Sequence, residues 1–97
     1  MIYAAEARQQ IAALRDHYER RERPEAATSL QAALLKAEQQ IETRPEAGLP
    51  SPRPYPALAR PGRAWVKAGR YWIAYSPTTP PVILGVFYET ADIPNRA

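Results

Sequence analysis

Two apolar runs lie close together near one end of this chain, RYWIAYS at 70–76 and VILGVFY at 82–88, joined by PTTPP. So short a proline-rich connection returns the second run antiparallel to the first, as a hairpin. In the first run Tyr71, Ile73 and Tyr75 alternate with Trp72 and Ala74. The second is apolar at both parities, which is the pattern of a central strand covered by helices on one side. Upstream, RAWVKA places Arg63, Trp65 and Lys67 on one face and Ala64, Val66 and Ala68 on the other, and Ala68-Gly69 is a tight turn. A hairpin this apolar cannot stand in water alone. The rest of the chain must supply its cover.

Two amphipathic segments can do so. AEARQQIAALRDHYERRER carries Ala7, Ile11, Leu14 and Tyr18 at the spacing of one helical stripe. PEAATSLQAALLKAEQQIET carries Ala27, Leu30, Leu34, Ala37 and Ile41 in the same way. Pro24 suits a first helical turn, where a missing N–H costs nothing. Pro45 disfavours the helical conformation at Arg44 and predicts the end of the second helix there. Few residues separate the segments, so they form an antiparallel hairpin. MIYAA at the start has room only for a very short strand. The expected fold is α+β, a helical hairpin packed on a small antiparallel sheet, in the order β-α-α-β-β-β, with residues 1–97 as one domain.

Between helices and sheet, residues 45–62 hold six prolines. The segment reads as a stiff crossover in which Leu49, Tyr55 and Leu58 can still pack. A loop of this length is also a common place for function.

Charge is unevenly placed. Residues 1–44 hold seven Lys/Arg and seven Asp/Glu, whereas 45–97 hold six and three. Arg53, Arg60, Arg63, Lys67 and Arg70 follow one another with no acid between them. Such a field suits nucleic acid or an acidic protein surface. It equally suits a strand face kept in water by its charge. Trp65 and Trp72 can stack on bases, or pack against a partner or in the core. With no cysteine and one histidine, no metal site, no cofactor and no disulfide is expected. His17 is read as a surface residue, Glu89 and Asp92 as capping or ion-pairing groups, and RRER at 20–23 as a solvated helix end. MIYAAEARQQ has no long apolar region and no run reaches the length of a membrane span, so a cytoplasmic location with no membrane contact is expected.

Several short motifs occur in an order that resembles the RelE/ParE superfamily of toxins, nearer its ParE branch. EARQQIAALRDHY is similar to the family's opening helix. Pro45 and Gly48 in RPEAG match its Pro-x-x-Gly, and Gly62-Arg63 its Gly-Arg. Tyr71, Ile73 and Tyr75 match its Tyr-Arg-Ile-x-Tyr strand. Asp92, Ile93 and Pro94 match its Arg-Asp-Ile-Pro. The mRNA-cleaving RelE branch places an arginine where Trp72 and Ala91 stand here, and an acid-base residue further on, where this sequence reads PNRA. Metal-free phosphodiester cleavage needs charge stabilisation and proton transfer, which tryptophan and alanine do not supply. The resemblance therefore implies no catalytic residues but a toxin that binds DNA gyrase and is held by a cognate antitoxin protein. Arg63, Trp65, Lys67, Arg70 and Trp72 are the expected partner-binding residues, and the chain is expected to expose aromatics. The alternatives are a ribosome-dependent endoribonuclease using Arg63, Lys67 and Arg70, with the ribosome as target, and a non-toxic basic binding module of the same fold.

Overall fold

The computed structural model describes residues 1–96. Helix α1 (Ala5–Arg20) and helix α2 (Pro24–Thr43) follow a two-residue strand β1 (Ile2–Tyr3). The crossover holds two single turns of tight helix, Pro45–Ala47 and Pro56–Leu58. Strands β2 (Ala64–Ala68), β3 (Tyr71–Ser76) and β4 (Val82–Tyr88) then form the sheet, and a last turn, α3, covers Ile93–Arg96. This is the expected α+β order. The strands lie β1-β4-β3-β2 across the sheet. The β2–β3 and β3–β4 pairs are antiparallel, as expected. β1 runs parallel to β4, so the sheet is mixed. Among the described residues no helix is long and apolar enough to cross a membrane.

The helix stripes read from the sequence are the buried ones. Ala7, Ile11 and Tyr18 of α1, and Leu30, Ala33, Leu34, Ala37 and Ile41 of α2, pack on Tyr71, Ile73, Tyr75, Ile83 and Val86 of the sheet. Each large aliphatic side chain so buried contributes about 1.5–3 kcal/mol. α1 ends in a Schellman turn. Arg23 N–H donates to the Tyr18 carbonyl at 2.9 Å and Glu22 N–H to the Glu19 carbonyl at 3.1 Å. Glu22 occupies the left-handed position of that turn, at φ 53°. Gly69 takes the corresponding conformation, φ +56°, in the turn between β2 and β3.

β4 does not alternate simply, and a β-bulge is the reason. Tyr75 pairs with Ile83 but Ala74 pairs with Gly85, so Leu84 is the extra residue. The extra residue resets the phase. Ile83 and Val86, three apart, both face the helices, while Leu84 and Phe87 face the other way. Next to the bulge, Val86 N–H donates at 2.8 Å to Oε1 of Gln10 on α1.

The second face of the sheet is covered as well. Trp65, Trp72, Ala74 and Phe87 pack there with Leu58 of the crossover and Ile93 of α3, and Leu49, Tyr55, Leu84 and Ala91 close the margin. The tryptophans are 0% and 3% exposed. The expectation of exposed aromatics is therefore corrected. The proline-rich crossover does more than connect. It folds back over the face opposite the helices and buries both indoles.

A basic groove beside an open strand edge

β2 is an edge strand, and the crossover pairs with only part of its outer edge. Leu49 and Trp65 exchange two main-chain hydrogen bonds, both 2.8 Å. Main-chain groups of a strand alternate in direction, so those of Lys67 face the same edge as those of Trp65. No main-chain partner meets them among the described residues. Beyond that edge lies a groove of about 920 Å³. Its far wall is the C-terminal half of α2, and Leu49 and Arg53 of the crossover line one end.

The charged residues lining it are Lys36, Arg44, Arg53 and Lys67, with no carboxylate among the lining side chains. All four cations are exposed. Lys36, Gln40 and Arg44 follow one another at four-residue steps along α2, which sets them on one helix face. Arg44 stands at the C-cap, where the unpaired carbonyls of the helix favour a cation. Trp72 supports two of the group from beneath. The Lys67 Nζ lies 5.7 Å and the Arg53 Cζ 5.8 Å from the centre of its ring. Lys67 also pairs with Glu89 at 2.8 Å. That ammonium, as the larger favourable influence, with Arg70 adding to it, holds the Glu89 carboxyl below its ordinary range. Among the described residues no carboxylate lies within ion-pairing distance of Lys36, Arg44 or Arg53.

The five residues singled out in the sequence do not form one patch. Lys67 lines the groove. Arg63 lines a small recess with Glu6, Gly85 and Arg96. Arg70 does not line the groove; its Nη1 lies 3.3 Å from the Tyr88 hydroxyl and 4.0 Å from Glu89, the carboxylate that Lys67 also pairs with. Trp65 contributes to the groove wall, but its indole N–H is buried and has no hydrogen-bond partner among the described residues. Trp72 lies in the second core. Lys36 and Arg44, which the sequence reading did not single out, come from the charge-balanced half of the chain. The available signal was a stripe, Lys36-Gln40-Arg44, flanked by Gln39 and Thr43 and free of acids. His17 is exposed, as expected. Glu89 forms its ion pairs, with Lys67 first, and Asp92 accepts a hydrogen bond from the Asn95 side chain.

Gly48, one of the motif positions, has a steric reason to be glycine. A Cβ there would lie 2.8 Å from the Ala64 Cβ and closer still to the Tyr75 hydroxyl. That hydroxyl donates to the Pro45 carbonyl at 2.6 Å. The Pro-x-x-Gly turn and the last tyrosine of β3 are thus one contact, which ties two separate motifs of the sequence together.

No curated protein matches the chain. One family profile does, the ParE toxin of type II toxin-antitoxin systems, parDE, over residues 1–88. With the match running from β1 to the end of β4, the chain belongs to the ParE toxin family of type II toxin-antitoxin systems.

Proposed function

We propose that this toxin acts by binding, with DNA gyrase as its target, and that its cognate antitoxin docks in the basic groove between α2 and the edge of β2. The toxin reading rests on the family. The docking reading rests on one observation above all, four exposed cations with no lining carboxylate beside an unpaired stretch of strand edge. An extended acidic segment fits that arrangement. Main-chain hydrogen bonds at Lys67 would give it register, and carboxylates facing Lys36, Arg44 and Arg53 would give it charge complementarity. A binding mode of action also fits the distribution of the basic residues. Arg63 lines a separate recess, while Lys67 and Arg70 are both engaged at the Glu89 carboxylate, so the three do not converge on a single phosphate.

The experiment assays gyrase supercoiling with purified toxin, and in parallel maps mRNA ends in translating extract. Inhibited supercoiling with intact mRNA, relieved by the antitoxin, is the expected result. Unchanged supercoiling together with codon-specific cuts would overturn the gyrase reading and favour ribosome-dependent cleavage.

A further inference from the structure

A second cavity, of about 550 Å³, opens where the last turns of α1, the first turns of α2 and the β2–β3 turn meet. It shares no lining residue with the basic groove. We propose that this cavity binds a small phosphomonoester. Its volume falls within the roughly 300–1,000 Å³ of small-molecule sites.

Tyr18 and Tyr71 are 8% and 3% exposed and both line the cavity. Their hydroxyls bond to each other. Two phenols carry two hydrogens, and that bond uses one. The other has no acceptor among the described residues. That hydrogen is available to an oxygen acceptor in the cavity that both residues line. Tyr88 adds another donor. Its oxygen already accepts from Arg70, which leaves its own O–H free to point elsewhere.

The charge agrees. Arg23 and Arg70 both line the cavity. One nitrogen of Arg23 lies 3.5 Å from Glu25, the sole carboxylate among the lining residues, and a guanidinium has five N–H groups to offer. The 20-residue helix α2 begins at this wall, and its dipole adds to the positive field. Burial, and then the bond to Tyr18, hold the Tyr71 phenol above its ordinary range, so it stays a donor at neutral pH. Donors and cations thus outnumber acceptors, which selects an oxyanion. Two guanidiniums suit phosphate. The remaining volume and the Leu14 and Ala26 walls leave space for an attached sugar or nucleoside.

The test is a titration of ¹⁵N-labelled toxin, followed by NMR, with adenosine monophosphate, ribose 5-phosphate, inorganic phosphate and adenosine. Both esters should shift amides around residues 23–26 and 70–71 and bind more tightly than inorganic phosphate, and adenosine should not bind. Arg70→Gln should weaken the esters about tenfold or more, the effect of one charged hydrogen bond. Arg23→Gln, an exposed change that leaves the core alone, should weaken them in the same direction. Adenosine binding as well as its monophosphate, inorganic phosphate binding as well as the esters, or affinities untouched by both arginine variants would each overturn the proposal.

Discussion

The hydroxyl of Tyr75 donates a 2.6 Å hydrogen bond to the main-chain carbonyl of Pro45, thirty residues earlier in the chain. It pins the end of α2 to the middle layer of the sheet, and Gly48 passes close enough to it that no side chain fits between.

Two substitutions test that contact separately. Gly48→Ala should destabilise the fold by about 1–3 kcal/mol, because the added methyl meets a buried hydroxyl and the Ala64 methyl rather than a flexible side chain. Tyr75→Phe removes only the donor, leaves the Pro45 carbonyl short of a partner, and should cost about 1–3 kcal/mol. Urea unfolding measures both. A Gly48→Ala protein as stable as the parent would mean that the turn has room to move away.

Glu22 offers the opposite sign. Its φ of 53° at the end of α1 is a conformation that costs a residue with a Cβ roughly 1–2 kcal/mol. Glu22→Gly should therefore raise stability, by up to about 1 kcal/mol after the entropy that glycine loses on folding is counted. A lower melting temperature in this exposed variant would show that the Glu22 side chain contributes more than its backbone costs.

Acid should act through Glu89. Its carboxyl is held below the ordinary range chiefly by the hydrogen bond from Lys67. A depressed carboxylate contributes stability that is present above its unfolded value, near 4.5, and lost as pH falls through the lower folded value. The carboxyl resonance of Glu89, followed by NMR, should titrate below pH 4.5 in the parent and move back up in Lys67→Met. An unchanged midpoint in that variant would remove Lys67 as the cause.

The sequence carried most of the fold because its signals were local. Pro24 and Pro45 bound α2, the apolar stripes of both helices are the buried ones, and β3 and β4 lie where the apolar runs lie. The phase of β4 beyond Leu84 was not legible, since a one-residue bulge leaves no mark in a run that is apolar throughout. Nor was the second core. Burial of Trp65 and Trp72 depends on where a proline-rich segment folds back, which is a tertiary contact between residues far apart in sequence. The groove was half legible for the same reason. Lys67 and Arg53 stood out in an acid-free stretch, whereas Lys36 and Arg44 join them only because α2 packs beside β2.

The groove is the centre of this account, and its most direct test is the association rate of toxin with antitoxin across a range of salt. The parent is compared with a Lys36→Ser, Arg44→Ser, Arg53→Ser triple variant, whose changes are all exposed. Steering by exposed charges is screened beyond about 10 Å at 0.1 M salt, so the parent rate should fall steeply as salt rises. The triple variant should associate about tenfold or more slowly at low salt and show a nearly flat dependence. Equal rates and equal slopes for the two proteins would contradict the placement of the antitoxin in this groove.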